Sequence, residues 1–226
     1  MKRKIFLISG GEIRDPSFLK AQLVSAERSE LICADGGALH LYRLGLVPGM
    51  IIGDMDSLDS KLKDHFEARG SRFICYPERK DKTDTQLALE YAYSLEPEII
   101  RIFAATGGRL DHTLANISLL VTGAEKGIDV KLVDDWGDIF IVNKSLALNG
   151  EVGQTVSFFP LTKSVEGITL EGFEYPMRNG IMKVGYPIGI SNRLMAVKGL
   201  ITVESGYLLG IRYYKPGIFP ATEWKK

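Results

Sequence analysis

The residues best suited to chemistry lie in Ile51-Ile52-Gly53-Asp54-Met55-Asp56-Ser57, where an apolar run stops at a glycine and two carboxylates follow two positions apart. In extended backbone, residues i and i+2 project to the same side, so Asp54 and Asp56 could reach one ion together. Hard oxygen ligands suit Mg2+, which is usually held by one or two carboxylates plus substrate phosphates. The same pair could equally be turn chemistry, because aspartate caps helices and bonds its own backbone. Three further segments bring acids to comparable places: Asp35 before Gly36-Gly37, Asp81 and Asp84 within Arg79–Gln86, and Asp111 after Gly107-Gly108-Arg109. Carboxylates converging on one edge would repel unless a cation or a cationic substrate sits among them. The paired glycines allow backbone N–H groups to approach a phosphate, and Lys80, Lys82 and Arg109 could neutralise its oxygens. Together these describe phosphoryl-type transfer, where catalysis is mainly positioning and charge stabilisation.

Each feature has a plainer reading when taken alone. Gly36-Gly37 suits a tight strand-to-helix turn, Arg109 a solvated charge, and Asp84 the first turn of a helix, where the dipole favours an acid. His112 could be a base, but at a helix start it is more often structural; His40 and His65 read as surface helix residues. Neither G-x-x-x-x-G-K-[ST] nor G-x-G-x-x-G is present, so a nucleotide would be held by other means. Only the conjunction favours function.

The elements that must position these residues alternate. Ile5–Ile8 reads as a buried strand, and Asp15-Pro16 as the cap and first turn of a helix burying Leu19 and Leu23. Leu31–Ala34 is the next strand, followed by a helix with Leu41 and Leu44 inward, stopped by Gly45 and Pro48. Met50–Ile52 delivers the aspartate pair, and Leu58, Leu62 and Phe66 mark the helix after it, ending at Gly70. Phe73–Tyr76 is a fourth strand. Thr83 with Gln86 has capping-box spacing before a stripe of Leu87, Tyr91 and Leu95. Ile99–Ala104 and Val130–Val133 are further strands around a helix with Leu114, Ile117 and Val121. Such repeats predict an α/β domain over 1–140, with a mostly parallel, Rossmann-like sheet and flanking helices. In these sheets ligands bind outside the carboxyl ends of the strands.

After about Ile139 the helical period disappears. Thr155–Phe159, Gly167–Leu170, Ile181–Val184, Leu194–Val197, Ile201–Glu204 and Leu208–Tyr213 are short strand candidates, and Asn179-Gly180 between Phe173–Met177 and Ile181–Val184 predicts a type I′ hairpin. Residues 141–226 therefore read as an antiparallel β-sandwich or barrel.

The bulk numbers exclude several classes. In 226 residues, 28 basic side chains balance 28 acidic ones, so there is no basic footprint and nucleic acid is not expected as a partner. Cys33 and Cys75 each lie in an apolar run and read as buried thiols in a reducing compartment. The apolar run after Met1-Lys2-Arg3-Lys4 is too short for a signal segment, and no stretch has membrane length. A cytoplasmic protein is expected.

The motifs also carry a resemblance. Ala34-Asp35-Gly36-Gly37-Ala38, Gly53-Asp54-Met55-Asp56-Ser57, Asp81-Lys82-Thr83-Asp84 and Gly107-Gly108-Arg109-Leu110-Asp111-His112 resemble, in order, the pattern of bacterial thiamine pyrophosphokinases. Ile190-Ser191-Asn192 followed by Ile201–Gly206 is similar to that family's tail, so the likeness covers essentially the whole chain. Met55 departs mildly, since the family more often has Phe there.

The resemblance implies transfer of a pyrophosphoryl group from ATP to the hydroxyethyl oxygen of thiamine, with release of AMP. It also implies a homodimer with active sites between subunits. Asp54, Asp56 and Asp84 would bind Mg2+ and the triphosphate, with Asp35 beside them. Thr83 and Arg109, together with the Gly36-Gly37 and Gly107-Gly108 loops, Lys80, Lys82 and Asp111, would surround the nucleotide. Ser191 and Asn192 would contact thiamine, and Tyr175 would stack on it. Thiamine is a small aromatic cation, so an acidic rim and a stacking ring suit it. Its alcohol needs alignment and a proton acceptor, for which Asp84 and Asp35 both remain open. Two other readings compete: a Mg2+-dependent phosphatase with an aspartyl nucleophile, and a nucleotide- or thiamine-sensing module without turnover. The aspartate pair follows the third strand rather than the first, which counts against the phosphatase.

Overall fold

Runs of apolar, β-branched residues become the strands of a parallel sheet. A computed structural model describes residues 3–24 and 29–214, and the chain divides into two units, Met1–Leu119 with Lys126–Asp135, and Leu120–Glu125 with Trp136–Lys226. In the first, Lys4–Ile8 (β1), Glu30–Ala34 (β2), Met50–Gly53 (β3), Arg72–Cys75 (β4), Ile99–Phe103 (β5) and Asp129–Asp134 (β6) lie side by side in the order β6-β5-β1-β2-β3-β4. All their pairings are parallel. Ile5, Leu7, Ile8, Ile32, Cys33, Ile51 and Ile52 have no exposed surface, as expected of strands covered on both faces. The strand order reverses at β1, whose neighbours are β2 and β5.

Helices Pro16–Val24 (α1), Gly37–Leu44 (α2), Ser60–Glu67 (α3), Asp84–Ser94 (α4) and Leu110–Lys126 (α5) alternate with the strands. Their ends are chemically marked. Asp15 accepts from the N–H groups of Ser17 and Phe18, Asp59 caps α3 through Leu62 N–H, and Gly45 closes α2 at φ 68°, as the cap and C′ rules require. Thr83 caps α4 by accepting from Gln86 N–H, but the Gln86 side chain donates to Glu90 rather than back to the cap, so only half of the expected box forms. The face that α4 buries is centred on Thr85, Ala88, Leu89 and Ala92 with Leu87; Tyr91 and Leu95 are only partly covered. This helix leaves the edge strand β4 and packs across β1, β2 and β3, which explains its small-residue face. Leu114 of α5 is 56% exposed, and Leu120 takes the buried place instead.

The second unit contains Gly137–Val142 (β7), Ser145–Asn149 (β8), Thr155–Pro160 (β9), Ser164–Glu171 (β10), Met177–Lys183 (β11), Asn192–Arg193 (β12), Lys198–Thr202 (β13) and Leu208–Tyr213 (β14). They form two antiparallel sets, β12-β9-β14-β7 and β11-β10-β13-β8. Both contribute to one core, with Phe140, Val156, Phe158 and Leu208 from the first and Leu148, Val165, Ile168 and Ile201 from the second. The arrangement is a β-sandwich. A buried ion pair joins Arg212 of β14 to Asp138 of β7, and the same guanidinium donates to the Asn149 carbonyl.

Three expectations are corrected, two in this half and one in the first unit. Asn179-Gly180 does not turn a hairpin between Phe173–Met177 and Ile181–Val184. Both residues lie inside β11, where the register against β10 shifts, so the left-handed φ of Asn179 (48°) makes a bulge rather than a reversal. The reversal is the 172–176 segment. Leu194–Val197 is not a strand: Leu194 makes a single bridge to Phe173, and β13 begins at Lys198. Cys75, finally, is exposed while Cys33 is buried, because β4 is the sheet's edge strand.

Candidate active site

The Asp54–Asp56 pair converges by a turn and not by strand alternation. Met55 between them has φ 64°, a left-handed conformation that costs energy for a side chain with a Cβ. Asp54 accepts from Asp56 N–H across the turn at 3.3 Å. From the end of β2, Asp35 reaches the same place. Asp35, Asp54 and Asp56 each offer a carboxylate oxygen, and these oxygens all lie within 4.8 Å of one another. Only 1% of Asp35 is exposed; its Oδ2 accepts from Ser57 N–H, while its Oδ1 has no partner. Burial pushes its carboxyl up, against the opposing pull of the Ser57 hydrogen bonds.

The loop after β4 and the first turn of α4 add two more groups. Lys80 Nζ lies 2.6 Å from Asp54 Oδ2 and 3.0 Å from Asp84 Oδ1. The Lys80 hydrogen bond holds the Asp54 carboxyl below its ordinary value. Burial works against the charge on Lys80 itself, but the two aspartates outweigh it and raise its pKa. Gly53 sits under this cluster with no room for a side chain, since a Cβ there would fall 2.6 Å from Asp35 Cβ and 3.1 Å from Asp84 Oδ1.

A second set of loops meets at the point where the strand order reverses. Ser9-Gly10-Gly11-Glu12 leaves β1 and is stitched to the loop after β5, with Ser9 N–H on Phe103, Gly11 N–H on Ala104 and Glu12 N–H on Thr106 carbonyls. Gly107 backs onto Glu12, and Gly36 onto Gly10, each too closely for an unstrained side chain. Gly37 opens α2 against the Ile8 carbonyl, where a Cβ would fall at 2.2 Å. Ser9 also bonds Thr85 Oγ1 at 2.6 Å inside the unit, tying the end of β1 to the first turn of α4. The β1 loop did not figure among the sequence-read site residues, although its paired glycine after a strand repeats the Gly36-Gly37 signal. Ser57 and Thr85, which orient Asp35 and α4, carry no such signal.

The remaining expected residues divide. Thr83 spends its hydroxyl on the α4 cap. Lys82 turns to Glu90 on the outer face of α4. Arg109 and Asp111 pair with each other at the exposed start of α5, after Gly107 and Gly108, both left-handed. In the other unit Asn192 is buried and holds the Tyr175 backbone from both sides, accepting from its N–H and donating to its carbonyl. Tyr175 is 63% exposed. Ser191 is exposed at φ 60°, anchored by its N–H to Ser157 Oγ.

The fold is that of an α/β protein, and carboxylates, a lysine and glycine loops gathered at the carboxyl edge of its parallel sheet stand where ligands bind in such sheets, which makes them a candidate site. Comparison with known proteins makes this specific. Residues 21–132 match the family model for the thiamin pyrophosphokinase catalytic domain, and residues 142–208 that for the thiamin pyrophosphokinase vitamin B1 binding domain. A thiamine pyrophosphokinase of Bacillus subtilis is 34% identical over 188 residues, covering 82% of this chain and 88% of the relative. Among solved structures, thiamine pyrophosphokinase from Bacillus subtilis superposes with a TM-score of 0.83 at 30% identity, covering 94% of this chain and 100% of that one. The Geobacillus thermodenitrificans thiamin pyrophosphokinase gives 0.81 at 28% identity, covering 96% and 100%. The chain belongs to the thiamine pyrophosphokinase family.

Proposed function

We propose that the protein transfers a pyrophosphoryl group from ATP to thiamine, giving thiamine diphosphate and AMP. The observation that carries this reading is the meeting of Asp35, Asp54 and Asp56 within 4.8 Å, with Lys80 and Asp84 against them. In the transfer, the hydroxyethyl oxygen of thiamine bonds to the β-phosphorus and the bond from that phosphorus to the α–β bridging oxygen breaks. AMP leaves with the bridging oxygen, and the alcohol proton passes to a carboxylate of the cluster, for which Asp35 and Asp84 are the two candidates.

The donor set fits Mg2+: it is all oxygen, and one buried carboxylate oxygen of Asp35 lacks any partner. Asp35, Asp54 and Asp56, with Asp84 beside them, would hold the ion, whose chemistry is to neutralise the polyphosphate. Lys80 adds a positive charge on a flexible stem, and of the loop glycines Gly108 has nothing within 4 Å of where a Cβ would stand, leaving its backbone open to phosphate, whereas Gly36, Gly37 and Gly107 close against Gly10, Ile8 and Glu12. Tyr175 and Ser191, both exposed, would meet thiamine, with Asn192 fixing the backbone that presents the ring. We read the two units as a catalytic and a thiamine-binding domain. The exposed Ile181, Val184, Tyr186 and Ile188 of the latter support a homodimer, which light scattering would measure. Among the described residues no helix is long and apolar enough to cross a membrane, and free cysteines agree with a reducing, cytoplasmic setting.

Incubation with ATP, Mg2+ and thiamine tests the assignment. Thiamine diphosphate and AMP are expected in equal amounts; ADP with thiamine monophosphate would overturn pyrophosphoryl transfer, and binding without product would leave a sensor.

A further inference from the structure

We infer that Lys80 is the resident counter-cation of the acidic cluster, and that it makes divalent-metal binding conditional on the polyphosphate. The inference rests on the cluster being the Mg2+–ATP site.

Lys80 Nζ bridges Asp54 and Asp84 at 2.6 and 3.0 Å, and its side chain is only 13% exposed. Its ammonium therefore occupies Oδ2, one of the two oxygens Asp54 could offer a metal, and its charge repels any ion arriving there. Yet it does not complete the site. The ammonium pairs with Asp54 and Asp84 only, while Asp35 and Asp56 crowd the same Asp54 within 4.8 Å and Asp35 Oδ1 stays buried without a hydrogen-bond partner. The cluster thus calls for more positive charge while part of its coordination is already taken.

A polyphosphate resolves this conflict because it supplies new acceptors for the ammonium. Lysine is a compact point charge on a flexible stem, and residues 76–83 form no helix or strand, so Lys80 can pass from carboxylate to phosphate oxygens. Release of Asp54 and Asp84 then coincides with arrival of the anion that the metal must also contact. Metal and polyphosphate binding become positively coupled, and by linkage each strengthens the other by the same factor. Divalent ions on their own compete with Lys80 and bind weakly.

The test reads metal binding and not turnover. Mn2+, visible by electron paramagnetic resonance, is titrated into wild type, Lys80→Met, Lys80→Gln and Lys80→Arg, each alone and with α,β-methylene-ATP. Circular dichroism melts select the neutral variant that folds as wild type does. In that variant Mn2+ alone should bind about tenfold or more tightly than in wild type, since a unit charge a few ångströms away has been withdrawn. The enhancement of Mn2+ binding by the analogue should shrink in it, while Lys80→Arg keeps wild-type behaviour. Unchanged or weaker Mn2+ binding in the neutral variant, with the analogue's enhancement intact, would overturn the role of Lys80. Absence of Mn2+ binding to every form, with and without the analogue, would overturn the metal reading itself.

Discussion

Removing one charge from the aspartate turn changes little in shape and much in electrostatics. Asp54→Asn and Asp56→Asn should each lower turnover about a hundredfold or more, some ~3 kcal/mol of transition-state charge stabilisation. Steady-state assay of thiamine diphosphate formation checks this, and near-normal rates in both would remove the pair from the reaction. A separate residue-scale prediction concerns Arg109, whose hydrogen bonds hold the Asp111 carboxyl down at about 2. Because folding lowers this pKa, the pair's contribution to stability is present above the ordinary value of 3.8 and is lost as pH falls through about 2. Arg109→Gln should return the Asp111 midpoint, followed by carbon NMR, toward 3.8; an unshifted midpoint in wild type would mean that the exposed pair does not form in solution. Residue identity made both groups visible as candidates, but not their partners. Lys82 and Arg109 look alike as phosphate ligands in sequence, and the fold engages one with Glu90 and the other with Asp111.

At the scale of elements, the site depends on strand ends that pass within van der Waals contact of one another. Gly37→Ala would place a Cβ 2.2 Å from the Ile8 carbonyl, and the clash should cost about 1–3 kcal/mol and lower Tm by about 5 °C. Gly49→Ala, whose nearest neighbour would be 3.7 Å away, should stay within about 1 kcal/mol of wild type. Equal melting temperatures for the two would show that the α2 entrance tolerates a side chain. The strands of the first unit were legible because all but the edge strand β4 are largely buried and bounded by turn residues. Those of the second were legible only in part. Strands β7 and β8 gave no separate signal, and Asn179-Gly180 matches a hairpin turn locally while the pairing of β10 with β11 spends it on a bulge.

For the whole molecule, the thiamine-facing expectation rests on an aromatic ring left open at the surface. Tyr175→Ala should raise the thiamine KM about tenfold with kcat little changed, because cation–π stacking is ground-state binding worth roughly 0.5–2 kcal/mol. Its melting curve should stay near that of wild type, since the residue is 63% exposed; an unchanged KM would leave Tyr175 outside the thiamine site. Asn192 behaves differently. It is buried with three hydrogen bonds to backbone, so its truncation would lose the loop that carries Tyr175.

Residue order alone determined the alternation of strands and helices, the β-rich second half, the four acidic loops and the family pattern they compose, because periodicity, caps and glycine positions are local properties of the chain. Tertiary structure decided how those loops meet: that Asp35 completes the pair, that Lys80 lies among the acids, and that the Gly10-Gly11 loop belongs with them. These are consequences of strand order, which sets β1 between β2 and β5 and carries α4 back over the sheet, and neighbouring positions in a sequence do not encode that order.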